Sequence, residues 1–166
     1  MMAKAWDEIS GTFYRVLFEA DRQVVLDGAK SPEGRFHHDG QPALYLSPTA
    51  DWAAAAIDVY RRAGDPPRST VPLRVDHAKI VDLRKSSHCA ALSIDAEDAA
   101  IPWRTQRSRG DRADSWKPAK AVRASDADGM IYTARSAPDR WHLVLFRWNG
   151  LGGPMVAVAD EPGSID

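Results

Sequence analysis

Residues 43–62 run Ala43-Leu44-Tyr45-Leu46-Ser47-Pro48-Thr49-Ala50-Asp51-Trp52-Ala53-Ala54-Ala55-Ala56-Ile57-Asp58-Val59-Tyr60-Arg61-Arg62, and this stretch decides the fold class. Its first four residues are a short strand signal, stopped by Ser47-Pro48. Thr49 or Asp51 then offers an N-cap to a helix over 52–62 that is alanine-rich, with acid early, two arginines in the last turn, and Gly64 and Pro66-Pro67 as stops. No other stretch predicts a helix this strongly. Outward from it lie strand signals at 12–18 (TFYRVLF), 70–75 and 79–83 (two strands or one bent strand), 129–132, 141–146 and 155–158. Ser31-Pro32-Glu33-Gly34 and Ser136-Ala137-Pro138-Asp139 read as turns, as does Gly150-Leu151-Gly152-Gly153. Residues 84–125 mix short apolar pieces with many charges and predict short helices and loops. Strands that do not alternate with long helices lack the crossovers of a doubly wound parallel sheet. The expected class is α+β, with a mainly antiparallel or split sheet.

The chain has 166 residues, the size of one domain, with 44% hydrophobic and 27% charged residues. A single domain over 1–166 is expected, with its core at about 12–158 and a frayed tail at 160–166. Lys and Arg total 22 against 23 Asp and Glu, so no global field draws the protein to nucleic acid or an anionic membrane. The N-terminal MMAKAWDEIS has no apolar core and brings Asp7 and Glu8 early, and no apolar run approaches bilayer length. A cytoplasmic location with no membrane contact is expected.

Several chemistries lack their residues. His37-His38, His77 and His88-Cys89 give neither a CxxC nor an HExxH spacing, so no metal is expected. Phosphate-binding glycine loops and a Gly-x-Ser-x-Gly elbow are missing, and Ser86-Ser87-His88-Cys89 reads as a polar turn. Positive charge concentrates at 104–123, where Arg104, Arg107, Arg109, Arg112, Lys117, Lys120 and Arg123 face only Asp111 and Asp114, with Trp103 and Trp116 nearby. This segment is either a solvated face or a nucleic-acid-binding surface.

One ordered set remains: Tyr14-Arg15, Gly34-Arg35-Phe36, Tyr45-Leu46-Ser47, Asp58-Val59, and Tyr132-Thr133-Ala134-Arg135 after Gly129. In this order the chain resembles the RES-domain family, over about residues 12–158. The resemblance implies an ADP-ribosyltransferase-like split sheet with a cleft for NAD. It also implies a toxin of a toxin–antitoxin pair, restrained by a cognate antitoxin that covers the cleft. Such toxins cleave the nicotinamide–ribose bond of NAD and pass ADP-ribose to a protein, for some relatives phosphoribosyl-pyrophosphate synthetase, or act as NAD glycohydrolases or phosphorylases. Carried over, it places Arg35, Tyr45, Asp58 and Thr133 against NAD, with Asp58, Arg35 and Thr133 catalytic. Aspartate stands where the family pattern has glutamate, and threonine where it has serine.

The residue types suit that chemistry. Cleaving the bond builds positive charge on the ribose, which a carboxylate such as Asp58 stabilises. Arg35 offers a planar fork to a pyrophosphate or ribose oxygen. Tyr45 can stack on nicotinamide with its hydroxyl free, and Thr133 can orient the ribose or the amide. Each also has a plain reading: Asp58 in an i,i+4 pair with Arg62, Arg35 as a solvated turn residue, Tyr45 in the core, Thr133 as a strand residue. The expected alternatives are a nucleic-acid-binding module through 104–123 and a protein with an inactive NAD site that binds a partner.

Overall fold

A computed structural model describes residues 4–159. Six strands, β1 (Asp7–Phe18), β2 (Leu44–Leu46), β3 (Arg68–Asp82), β4 (Gly129–Ala134), β5 (Ala137–Leu145) and β6 (Met155–Val158), form one sheet of order β1-β3-β4-β5-β2. β6 lies outside that path and pairs with β3. Four short helices accompany them: α1 (Ala50–Ile57), α2 (Ser86–Ala91), α3 (Trp103–Ser108) and α4 (Trp116–Ala124). The sheet is mainly antiparallel, as expected. Its parallel pair, β3 with β4, is joined by residues 83–128, which carry α2, α3 and α4, because a parallel pairing needs a long crossover.

The two signals at 70–75 and 79–83 are one bent strand. Ile9 pairs with Ala78 but Gly11 pairs with Val75, so Ser10 opposes two residues of β3 and the strand bulges there. His77 takes a left-handed φ of 59° at this bend, and its N–H donates to Ser10 Oγ. Beyond the bend β3 pairs with β4; before it, with β6. Two main-chain bonds between Tyr14 and Ser47 bring the β2 end back to β1 and close the sheet on itself.

Period-2 alternation divides β4 and β5 between two cores. Ile131, Leu143 and Leu145 join Phe13, Leu44 and Leu73 on one face. Met130, Tyr132 and Val144 meet Phe36, Ala119 and Val122 on the other, where α4 and the loop before β2 cover the sheet. Gly129 opens β4 so close to β5 that a Cβ would lie 2.1 Å from Val144 O.

Two expectations need correction. The helix expected over 52–62 ends at Ile57, and Asp58–Tyr60 form a separate 3-10 turn. The alanine run propagates α1 from its Thr49 cap, and the β-branched and aromatic residues that follow do not continue it. Val59, in that turn, is 75% exposed. Ser86-Ser87-His88-Cys89 is helical, with His88 and Cys89 buried. The tail at 160–166 lies outside the described residues. Among the described residues, no helix is long and apolar enough to cross a membrane, and no three His, Cys, Asp or Glu side chains gather as a metal site would need.

Candidate active site

The loop before β2 carries Gly34-Arg35-Phe36-His37, and side chains distant in sequence hold each of its peptide groups. Trp116 Nε1 donates to Gly34 O (2.9 Å), Ser115 Oγ to Arg35 O, and Arg123 to Phe36 O (2.8 Å). From the sheet, Tyr45 Oη accepts the Phe36 N–H at 3.0 Å and lies 2.7 Å from His37 Nδ1. His37 Nε2 faces the Ser31 carbonyl at 2.9 Å, so Nε2 carries the proton and Nδ1 accepts from the Tyr45 hydroxyl. Glycine is required at 34, because a Cβ there would lie 2.5 Å from the His37 ring.

This clamp projects Arg35 into a cavity of about 450 Å³ lined by Arg35, Leu83, Arg84, Ala99, Tyr132 and Thr133 among others. Arg35 Nε and Nη2 both donate to Ala99 O (3.0 and 2.7 Å), and Nη2 also lies 3.3 Å from Thr133 O. Its guanidinium sits 4.9 Å from the Phe36 ring centroid and 4.8 Å from that of Tyr132. Burial holds its pKa below the ordinary arginine value. Among the described residues no carboxylate pairs with it, and the carboxylate of Asp82 pairs with Arg84 of the lining.

Behind Tyr132, buried Ser47 Oγ lies 2.8 Å from Nδ1 of buried His142, whose ring is 5.6 Å from that of Tyr132. Desolvation, with Arg140 and Arg35 nearby, pushes the His142 pKa down to about 4, so this imidazole is neutral at physiological pH. Burial likewise pushes the Tyr132 phenol up to about 12.

The four residues singled out in the sequence do not all share this cavity. Arg35 and Thr133 line it, and the bond from Arg35 goes to the Thr133 main-chain carbonyl. Tyr45 lies one layer beneath, stacked on Phe36 (6.5 Å), and its hydroxyl is not free. Burial raises its pKa well above the ordinary phenol value. Asp58 is outside the lining, on the exposed turn after α1, and pairs with Arg61 (3.3 Å) rather than Arg62, because the helix has already ended. That turn is not remote, since the Tyr60 phenol is near enough to bear on the titration of Arg35, Tyr45 and Tyr132. Ile57 and Tyr60 also wall a second cavity of about 290 Å³, with Arg15, Phe18 and Arg68.

Tyr132, Arg84 and His142 carry no site role in the sequence reading. Tyr132 stands inside the Tyr132-Thr133 motif, and only the fold shows that its ring forms the seat for Arg35. Of the basic segment 104–123, Arg107 and Arg123 are half-buried, and Arg104, Arg109, Arg112, Lys117 and Lys120 are exposed. Arg104 stacks on Tyr60 (4.4 Å), Arg107 and Arg112 on Trp116, and Arg123 on Phe146.

A family model described as the RES domain matches residues 7–163. Among curated proteins no sequence matches. Among solved structures, a chain of the M. tuberculosis MbcT-MbcA toxin-antitoxin complex is similar, with a TM-score of 0.55 and 16% identity over 93% of this chain and 86% of that one.

Proposed function

Because the chain belongs to the RES-domain family, we propose that it is the toxin of a toxin–antitoxin pair and cleaves the nicotinamide–ribose bond of NAD beside Arg35. The observation that carries this reading is Arg35 itself. A largely buried guanidinium, held by carbonyls and aromatic faces with no carboxylate partner, calls for an anionic ligand to complete it. The pyrophosphate of a dinucleotide supplies that anion, and the cavity volume falls in the range of small-molecule sites.

In the reaction the bond between ribose C1′ and the nicotinamide nitrogen breaks, and its electron pair cancels the positive charge of the ring, so departure needs no general acid. Positive charge passes to the ribose. Asp58 is the carboxylate proposed to stabilise it, reaching in from the turn that carries Tyr60. Leaving Arg61 costs little, since an exposed pair of this kind is worth at most about 1 kcal/mol. Thr133 orients the ribose or the amide, and Tyr45 supports Arg35 from beneath through Phe36.

The acceptor proposed first is a protein side chain, with phosphoribosyl-pyrophosphate synthetase as the target class carried by the resemblance; water and phosphate are the alternatives. A partner that seals the cavity mouth is the antitoxin. The MbcT-MbcA structure is itself a toxin-antitoxin complex.

Incubating the pure protein with NAD and following free nicotinamide tests the reading, and the co-product (modified protein, ADP-ribose or a phosphorylated ADP-ribose) identifies the acceptor. Asp58→Asn is expected to lower nicotinamide release by about 2–4 kcal/mol of transition-state stabilisation. Unchanged release would remove Asp58 from the mechanism. No release by wild type, with no growth defect on expression alone, would overturn the toxin reading.

A further inference from the structure

Arg84 stands two residues beyond the β3 end and lines the same cavity as Arg35. Asp82, 5% exposed, grips it along one edge: Nε donates to Oδ1 and Nη2 to Oδ2, both at 2.9 Å, and the Arg84 main-chain N–H adds a third bond to Oδ1. The Trp141 ring, 4.8 Å away, fixes the guanidinium plane. Hydrogen bonding among the described residues therefore occupies the Nε edge of Arg84 and leaves Nη1 without a partner.

Arg35 has the same pattern. Its Nε and Nη2 serve Ala99 and Thr133, and its Nη1 has no partner among the described residues. That Nη1 is still accessible, since among the described residues Arg140 Nε is the buried side-chain nitrogen or oxygen left unpaired. Two guanidiniums thus border one cavity, each fixed by one edge with the other open. Asp82 pairs with Arg84, and among the described residues no carboxylate pairs with Arg35.

We propose that Arg84 is a second phosphate-binding residue of this cavity, and that its Nη1 and that of Arg35 together hold the pyrophosphate of the dinucleotide. The assignment rests on the NAD reading above and extends it to a residue outside the motifs. Arg84 is held in place before the ligand arrives, so little side-chain entropy is lost on binding. Its fork suits a phosphate in a way that a lysine ammonium does not.

Calorimetric titration of wild type, Arg84→Gln and the double variant Asp82→Asn/Arg84→Gln with ADP-ribose tests this. The double variant leaves no uncompensated buried carboxylate, so it keeps the test open if Arg84→Gln folds poorly. Both variants are expected to bind ADP-ribose about tenfold or more weakly than wild type. Wild-type affinity in Arg84→Gln would overturn the assignment. So would a double variant that regains wild-type affinity, because Arg84 would then act only by neutralising Asp82. Either result leaves the NAD reading standing. Wild type that does not bind ADP-ribose removes that reading and this assignment together.

Discussion

Arg35 and Arg123 are built alike and used differently. Each guanidinium lies over aromatic rings, Arg35 over Phe36 and Tyr132 and Arg123 over Phe146 at 3.9 Å, and each donates to main-chain carbonyls. Burial lowers the pKa of both, that of Arg123 to about 10. The difference lies in what remains open. Arg123 donates to Phe36 O and Pro42 O and fastens the loop before β2 to α4. Arg35 leaves Nη1 facing a cavity. A stacked, carbonyl-capped arginine is therefore a fastener or a ligand anchor according to whether space lies beside it.

The largest expected effect is on the anchor. Arg35→Ala should lower NAD turnover by about 10²–10³, the loss typical of removing one preorganised electrostatic donor. Arg35→Lys should retain more turnover, keeping the charge but not the fork. Nicotinamide release by the three proteins checks this, and full turnover in both variants would make Arg35 a fastener like Arg123.

Next comes the buried His142. The unfolded chain protonates His142 at its ordinary pKa near 6.5, and the folded protein resists until about 4. Its contribution is therefore intact above pH 6.5 and lost as pH falls from 6.5 to 4, by about 2–3 kcal/mol. Denaturant melts at pH 7 and pH 4.5 should show this loss in wild type and a smaller one in His142→Gln. Equal losses would mean that protonation of His142 is not what the fold opposes.

Arg123→Ala should cost about 2 kcal/mol of stability, from two charged hydrogen bonds and the packing over Phe146. Its turnover per folded molecule should stay within a small factor of wild type. A loss of turnover as deep as that of Arg35→Ala, with stability unchanged, would erase the contrast between the two arginines. The smallest effect is expected at Arg107, half-exposed beside Glu33 at 3.3 Å, where Arg107→Ala should cost about 0.5–1 kcal/mol by thermal melt. A larger cost would show that Arg107 holds the loop before β2 as firmly as Arg123 does.

The sequence by itself determined most element types and the α+β class, because alternation, helix propensity and turn residues act within a few neighbours, while Gly34-Arg35-Phe36 and Tyr132-Thr133 stood out through the resemblance to the RES-domain family. The strand at 43–46 and the cap at Thr49 were legible for that reason. Local signals could not tell that 70–83 is one strand bent at His77, since the bulge depends on the β1 register. Nor could they place Asp58, whose position turns on where an alanine-driven helix gives way to a separate turn. Only the tertiary structure decided which arginine borders a cavity. The groups that fix Arg35 lie 64 and 98 residues away, and a guanidinium has a defined direction only once such distant carbonyls and rings have closed around it.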